Sequence, residues 1–169
     1  MKSISKKLMD KASHIVHHVE RKSLADGKRF TSKRKRVLAA LLKSRKAVSA
    51  YDLSEYCNKQ NADSISVMSI YRILEMLQNE SLVHKLKLSN KYVACAHILC
   101  DHTHGVPQFL TCRTCSEVKE ISIAQSTLNK LNSIILDEGF SMASPQLEID
   151  CLCKKCSDSA THKISEKSR

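Results

Sequence analysis

An α+β fold in two units is what this sequence predicts, and three observations support it. Apolar residues recur every three or four positions through most of the first 80 of 169 residues, which is the period of amphipathic helices. The period then changes to that of β-strands, and further strand patterns surround two CxxC pairs near the C-terminal end. Only three glycines and two prolines interrupt the chain, as expected of a helix-rich protein.

Four amphipathic helices are predicted in the first 80 residues, and three of them have recognisable starts. Thr31 and Ser66 precede apolar stripes, where a hydroxyl caps the unpaired N–H groups of a helix. Ser49 is followed three residues later by Asp52, a variant of the capping box. The expected buried stripes are Ile4, Leu8, Ala12, Ile15 and Val19; Val37, Leu38, Leu41 and Leu42; Ala50, Leu53 and Cys57; and Ile70, Ile73, Leu74 and Leu77.

A two-stranded hairpin is predicted next, with the dipeptide Ser89-Asn90 as its turn. Helices followed by a hairpin describe a winged helix, in which the fourth helix here is the recognition helix. On its solvent face Arg72 suits a bidentate contact with guanine, and Ser69 and Tyr71 suit phosphates or bases. Partial packing in the core is the alternative for Tyr71. In the hairpin, Leu82, His84, Leu86 and Leu88 are expected to alternate with Val83, Lys85 and Lys87.

The rest of the chain is predicted to be a linker and a smaller unit with three strands and one helix. That helix ends at Gly139, a residue typical of helix C-termini. So small a unit is marginal by itself and needs a metal, a partner or both. The expected boundaries are a winged-helix domain at 1–95, a linker at 96–106, a second domain at 107–157 and a disordered tail at 158–169.

Positive charge is concentrated at the N-terminal end. Residues 1–50 hold 15 Lys or Arg and 3 Asp or Glu, a net charge of +12, whereas the whole chain carries +11. DNA is a natural partner for such a block, because each neutralised phosphate releases counterions; a solvated basic face is the alternative. No apolar run reaches the roughly 18–20 residues of a membrane span. No secretory signal is recognisable either, so a cytoplasmic protein is expected.

The two CxxC pairs predict a zinc site. Cys112 and Cys115 follow one predicted strand, and Cys153 and Cys156 end another. Four thiolates complete a tetrahedron around zinc and leave no open position, so such a site is structural. Cys151 is a competing ligand. A redox dithiol is the other interpretation, although such active sites place a single CxxC at the start of a helix.

Further metal donors cluster on the hairpin, the linker and the strand after the first CxxC. A site that drew on all three would bridge the two domains. Nitrogen, sulfur and oxygen donors in tetrahedral number suit Zn²⁺ better than Mg²⁺ or Mn²⁺. The donors not yet assigned are His84, Cys95, His97, Cys100, His102, His104 and Glu120.

Six stretches of the sequence are SAYDL, SVMSIYRILEML, LVHKLKLSNKYVAC, FLTCRTCSEVKEI, EGF and the terminal CKKC. In their content and order, these stretches resemble the ferric uptake regulator family, most closely its zinc uptake regulator branch. The resemblance implies a homodimeric, metal-dependent DNA-binding repressor with a C-terminal dimerisation domain, which controls zinc uptake genes. It matches Tyr51 and Arg72 to positions that contact DNA. It implies two zinc ions per chain, a structural one at Cys112, Cys115, Cys153 and Cys156 and a regulatory one at His84, Cys95, His104 and Glu120.

Several alternatives remain open. His102 is an alternative to His104 as a ligand. A second alternative is a sensor of iron, manganese or peroxide with the same fold. The thiol of Cys95 disfavours it, because thiolates prefer zinc to Fe²⁺. A thiol–disulfide redox protein and a constitutive nucleic-acid binder are the others. No paired acid and base, phosphate-binding glycine loop or nucleophile motif is present, so an enzyme is not expected.

Overall fold

A computed structural model describes residues 2–44, 46–59, 63–100 and 105–159, with side chains from residue 9 onwards. The chain divides into two compact units, Met1–Asp101 and His102–Arg169. The division falls inside residues 96–106, the segment that we predict as a linker. In the described parts of the chain, no helix is long and apolar enough to cross a membrane.

Within its described residues, the first unit contains four helices followed by a hairpin. The strands of the hairpin are antiparallel, with Val83 opposite Ala94 and Leu86 opposite Lys91. A β-bridge between Val48 and Tyr92 attaches the segment before the third helix to the hairpin. The elements are α1 (Lys2–Ala25), α2 (Ser32–Lys43), α3 (Ala50–Lys59), α4 (Val67–Asn79), β1 (Val83–Leu86) and β2 (Lys91–Ala94).

One hydrophobic core, built from the four helices and the hairpin, holds the first unit together. Full burial of an aliphatic side chain contributes about 1.5–3 kcal/mol, so this core is the main source of stability. The predicted stripes are confirmed where side chains are described, with Leu42 and Ile73 only partly buried. Ile4 and Leu8 lie outside the described side chains. The buried members are Ala12, Ile15, Val19, Val37, Leu38, Leu41, Ala50, Leu53, Cys57, Ile70, Leu74 and Leu77.

The predicted helix starts are confirmed. Thr31 and Ser66 each accept a hydrogen bond from the backbone N–H three residues further along the chain. At α3, the hydroxyl oxygen of Ser49 accepts from the Asp52 N–H at 3.1 Å. In return, Asp52 Oδ2 accepts from the Ser49 hydroxyl at 2.7 Å and from its N–H at 3.0 Å. These hydrogen bonds from Ser49 hold the pKa of Asp52 below its usual value of 3.8.

The hairpin departs from the predicted alternation. Val83 and Leu86 are the buried residues of β1, and His84 between them is half-buried. Leu88 is 85% exposed, because strand pairing ends at Leu86 and the four-residue turn 87–90 follows. The prediction of strict alternation is therefore wrong here, because β1 ends earlier than the apolar pattern suggests.

The second unit contains, in its described residues, a three-stranded sheet and one long helix. The central strand β3 is antiparallel to β4 and parallel to β5, so the sheet order is β4-β3-β5. Residues 154–159 are helical, so the tail that we predict to be disordered from residue 158 begins in a helix. The elements are β3 (Gln108–Cys112), β4 (Val118–Ile121), α5 (Gln125–Asp137) and β5 (Glu148–Cys151).

The helix of the second unit ends as predicted but covers no core. Gly139 has a positive φ of 79°, and its N–H donates to the carbonyl of Leu136, while the Phe140 N–H donates to that of Ile135. This pair of hydrogen bonds is a Schellman motif. No residue of α5 is buried, and Ile134 is 61% exposed. The unit therefore leaves an apolar helix uncovered within the single chain.

Replacing Ser49 by Ala is expected to destabilise the protein by about 1 kcal/mol at pH 7, the usual effect of losing a helix cap. Because the folded-state pKa of Asp52 is lowered, its charged form favours folding above pH 3.8, and this contribution is lost as the pH falls through the folded-state pKa. Urea unfolding of the wild type and of Ser49→Ala between pH 7 and pH 3 should give a free-energy difference that shrinks towards acid. A difference that stays constant with pH would contradict the role assigned to Asp52.

Candidate metal centre and nucleic-acid interface

Four cysteines of the second unit meet where β3 and β5 end. Cys112 is the last residue of β3 and Cys115 follows it, while Cys153 and Cys156 follow β5. The four Sγ atoms lie within 4.8 Å of one another, and those of Cys115 and Cys153 are 3.7 Å apart. Around a tetrahedral zinc with Zn–S bonds of about 2.3 Å, the sulfurs lie about 3.8 Å apart. The donor set therefore fits one tetrahedral zinc ion.

Both CxxC segments form tight turns. Ser116 has a positive φ of 60°, and its N–H donates to the Cys112 carbonyl at 2.8 Å. The Cys112 N–H donates to the Glu117 carbonyl, also at 2.8 Å. In the second pair, the Cys156 N–H donates to the Cys153 carbonyl at 3.0 Å. Each turn thereby holds its two sulfurs on the same side of the backbone, as a shared ion requires.

The two pairs are brought together by the parallel pairing of β3 with β5. Cys112 lies opposite Cys151, and the Arg113 N–H donates to the Cys151 carbonyl at 2.9 Å. The Cys153 N–H in turn donates to the Cys112 sulfur at 3.3 Å. The sulfur of Cys151 instead contacts the Thr111 carbonyl at 3.6 Å and is not one of the four clustered donors. The geometry thus favours Cys153 over Cys151 as a ligand.

Hydrogen bonds shift the pKa values of Cys112 and Cys156 in opposite directions. Backbone N–H groups, that of Cys153 first and that of Cys115 next, lower the pKa of the Cys112 thiol to about 6. Hydrogen bonding with the Cys153 side chain, together with burial, raises the pKa of Cys156 to about 12. The crowding that raises the pKa of Cys156 would be relieved by a divalent cation, because metal-bound thiols are deprotonated.

Two predicted regulatory donors lie close together in the first unit. His84 lies on β1 opposite Val93, and Cys95 follows β2 with its N–H donating to the Leu82 carbonyl at 3.0 Å. A ring nitrogen of His84 and the sulfur of Cys95 lie within 4.8 Å of each other. The Cys95 sulfur also accepts a hydrogen bond from the His97 N–H at 3.4 Å. The hairpin thus presents a nitrogen and a sulfur donor side by side.

The other predicted regulatory donors divide between the second unit and residues outside the described ranges. Glu120 lies on β4 of the second unit, opposite Phe109, and is half-buried. His102 and His104 both lie outside the described residues, so the choice between them stays open. Cys100, at the end of a described range, is exposed.

The residues that we predict to contact nucleic acid lie on α3 and α4. Arg72 is exposed on α4, and Tyr51 at the start of α3 is 67% exposed. Tyr71 is half-buried and packs against the hydrophobic core, which is the alternative considered for it. The Ser69 hydroxyl lies 3.0 Å from that of Ser66, so it takes part in the helix cap. Arg72 and Tyr51 are the more accessible of the four predicted side chains.

Polar side chains fasten the start of α4, an arrangement that no sequence pattern revealed. Asn58 donates from Nδ2 to the Ile65 carbonyl at 3.2 Å and accepts from the Ile65 N–H at 2.8 Å. The Ser54 hydroxyl donates to the same carbonyl at 2.9 Å. Arg36, from α2, donates to the Cys57 carbonyl at 2.7 Å. The entry into α4 is thereby tied to α3, and α3 in turn to α2.

Comparison with known proteins finds a family and named relatives. Residues 25–150 match the ferric uptake regulator family. The chain is 30% identical over 128 residues to the zinc uptake regulation protein of Escherichia coli K12, a match that covers 76% of this chain and 72% of that protein. The protein of the same name from Shigella flexneri matches equally well.

Two solved structures share the fold. The holo form of XcZur matches with a TM-score of 0.66 and 31% identity, over 85% of this chain and 96% of that one. A zinc uptake regulator complexed with zinc and DNA matches with a TM-score of 0.72 and 24% identity, over 89% and 97% of the two chains. The second likeness is one of fold alone. Together they confirm the predicted α+β fold, a winged helix followed by a small α/β domain.

Replacing Cys115 by Ser is expected to release the metal of the four-cysteine group and to loosen the second unit. Zinc binding contributes roughly 10–16 kcal/mol in zinc-finger peptides, and so small a unit has little core with which to replace it. Zinc per chain after dialysis against a chelator, and amide hydrogen exchange of β3 to β5, measure both effects.

Two matched variants control this experiment. Cys100→Ser changes an exposed cysteine outside the group and should retain the metal. Cys151→Ser should also retain it, because the Cys151 sulfur lies outside the cluster. Loss of zinc from Cys151→Ser with retention in Cys153→Ser would show that the ligand assignment is wrong.

Proposed function

The chain belongs to the ferric uptake regulator family, and we propose that it is a zinc-responsive, DNA-binding transcriptional repressor of zinc uptake genes. The observation that carries this proposal is the pair of zinc-type donors, His84 and Cys95, on the hairpin of a winged helix. The 30% identity to zinc uptake regulation proteins supports the same choice of metal. Such a repressor acts in the cytoplasm and performs no catalysis.

Two zinc ions per chain with different tasks are part of the proposal. Cys112, Cys115, Cys153 and Cys156 would hold the first, and four thiolates leave it no position for exchange with a further ligand. The second, regulatory ion would be bound by His84, Cys95, His104 and Glu120, as predicted from the sequence. A bound zinc supplies a positive charge that neutralises thiolate and carboxylate donors at one point.

Zinc is favoured over iron and manganese because of Cys95. A thiolate is a soft ligand that suits zinc, whereas manganese and magnesium prefer oxygen donors. The hydrogen bond from the His97 N–H to the Cys95 sulfur, at 3.4 Å, would stabilise the thiolate form further. A sensor of iron, manganese or peroxide with this fold therefore becomes the second candidate.

Regulation requires that zinc binding change the affinity for DNA. His84 and Cys95 belong to the first unit, and Glu120 belongs to the second. An ion that takes donors from both units restricts the angle between the winged helix and the dimerisation domain. Zinc then shifts the protein towards the operator-binding arrangement only as far as it binds that arrangement more tightly.

DNA binding is supported by charge and by the exposed face of α4. Residues 1–50 carry a net charge of +12, from 15 basic and 3 acidic residues, which suits a phosphate backbone. Arg72 is exposed on α4, where a guanidinium can read O6 and N7 of guanine in the major groove. Tyr51 is also accessible for a contact with bases or backbone.

A homodimer accounts for the apolar surface of the second unit. No residue of α5 is buried within the chain, yet Ile134 and Leu136 are apolar and 61% and 54% exposed. Phe140, just after the helix, is 73% exposed. Pairing with a second copy would remove this surface from water, and two winged helices would then fit a palindromic operator.

The environment of the cysteines and the two donors on the hairpin argue against the rivals of other classes. A thiol–disulfide enzyme would need an accessible CxxC, whereas Cys112 is 2% exposed and its sulfur lies within 4.8 Å of three other sulfurs. A constitutive DNA binder with only a structural zinc has no use for the donors His84 and Cys95.

Zinc is expected to strengthen operator binding by about 5–150-fold, the range of ordinary allosteric coupling. His84→Ala should lose this zinc dependence while keeping the metal of the four-cysteine group. The measurement is fluorescence anisotropy on a palindrome selected from random DNA by the zinc-loaded protein, with and without a chelator. His14→Ala, an exposed histidine on α1, is the control.

Three outcomes would decide against a zinc sensor. Equal affinity with and without zinc would exclude regulation, and so would a fully active protein that holds one zinc per chain. If Cys95→Ser left the preference between zinc and iron unchanged, the iron sensor would be the better candidate.

Replacing Arg72 by Ala is expected to weaken binding to the selected palindrome by about 1–3 kcal/mol and to relax the preference at one base position. Its affinity for unrelated DNA should change much less, because a base contact adds little to non-specific binding. Titrations with both DNAs measure the ratio. Lys130→Ala, a basic residue on the helix of the second unit, is the control and should leave both affinities unchanged.

A further inference from the structure

Gln108 is a buried polar residue at the beginning of β3. It is 0% exposed, and it is the only amide side chain among the fully buried residues of the described ranges. Its Nε2 donates to the carbonyls of Val106 and Pro145, both at 3.0 Å. Its Oε1 accepts a hydrogen bond from the Leu147 N–H. All the hydrogen-bonding groups of this amide except one lone pair are therefore used, and all go to backbone.

These bonds join two parts of the chain that are far apart in sequence. Pro145 and Leu147 lie 37 and 39 residues after Gln108, beyond the whole of α5. The Phe109 N–H donates to the Leu147 carbonyl at 3.0 Å, and the next pair along the two strands is Phe109 with Glu148. The Gln108 side chain thus lies at the point where the pairing of β3 with β5 begins.

The register that begins at Gln108 determines where the second CxxC lies. From Phe109 opposite Glu148 it runs to Cys112 opposite Cys151. Two residues beyond Cys151, the Cys153 N–H reaches the Cys112 sulfur at 3.3 Å. A slip by one residue moves a strand by about 3.3 Å, which is comparable with the whole sulfur–sulfur separation of a tetrahedral site. One slip would therefore prevent four-thiolate binding.

The rest of β5 specifies this register weakly. β5 is an edge strand of four residues, of which Ile149 is 39% exposed, so few buried side chains choose between registers. A buried amide does choose, because a slip of β5 would break its bonds to Pro145 and Leu147 and leave a buried donor and a buried acceptor without partners. Buried polar groups that are fully satisfied specify one arrangement in this way.

We propose that Gln108 is a positioning residue for the four-cysteine site, which sets the register of β5 beside β3 and so places Cys153 and Cys156 against Cys112 and Cys115. The inference rests on the zinc site of the proposed function and is independent of DNA binding. None of its three hydrogen bonds goes to a cysteine, so its effect on the metal passes through the strand register.

Gln108→Met tests this role, because methionine has a similar length and volume but makes none of the three hydrogen bonds. Gln146→Met is the matched control, because Gln146 lies in the same segment and its Nε2 donates to the carboxylate of Glu148 at 3.2 Å. The full-length variants are loaded with Co²⁺, whose absorption spectrum reports the number of thiolate ligands. Zinc transfer from each protein to a chromophoric chelator is then timed.

The wild type and Gln146→Met are expected to give the four-thiolate cobalt spectrum. Gln108→Met is expected to give a spectrum with fewer thiolate ligands and to lose zinc at least about 10-fold faster.

Should Gln108→Met fail to fold, Gln108→Asn decides, since it keeps a buried amide that is one methylene too short to reach all its partners. A wild-type spectrum and wild-type zinc loss in the variant that folds would overturn the proposal, even if its thermal stability fell. Absence of the four-thiolate spectrum from the wild type would instead refute the zinc site itself.

Discussion

The parallel pairing of β3 with β5 is the interaction on which the second unit depends. It brings the end of one strand beside the end of another across some 40 residues of chain, and the four thiols meet there as a result. The unit has few other means of stability, because only Gln108, Phe109 and Cys112 are buried in its described part. A metal ion and a partner surface are what a domain of this size needs in place of a larger core.

The first unit is stabilised differently, and this matters for its proposed task. Its core is continuous from α1 to the hairpin, so the helices and the wing share one packed interior. His84 lies between the buried residues Val83 and Leu86, which makes it a donor on a strand anchored in that core. A force applied through a metal at His84 would therefore reach α4, whose start is held by Asn58 and Ser54. The proposed metal donors and the proposed DNA-contacting residues therefore share one scaffold.

Chemistry and position favour different tasks for the two donor groups. The four-cysteine group is closed and belongs to one unit, so an ion held there would serve folding. The pair formed by His84 and Cys95 has fewer donors and would need others to complete a metal site, so the occupancy of the proposed site would depend on conformation. That dependence is the physical requirement for a sensor, because a ligand shifts an equilibrium only by its differential affinity for the two states. Under the proposed function, the same fold would accommodate a permanent ion and an exchangeable one.

The sequence by itself determined the helices, their caps and the four clustered cysteines, because these follow from local rules. Apolar periodicity predicted the core stripes, Thr31 and Ser66 were recognisable as helix caps, and two CxxC pairs indicated a tetrahedral site. Only the tertiary structure decided what depends on distant parts of the chain: the end of β1 before Leu88, the position of the Cys151 sulfur outside the four-cysteine cluster, and the bonds of Asn58 and Gln108. A side chain that bonds to the backbone of a distant segment leaves no periodic trace in sequence, because its partner is chosen by the fold rather than by its neighbours.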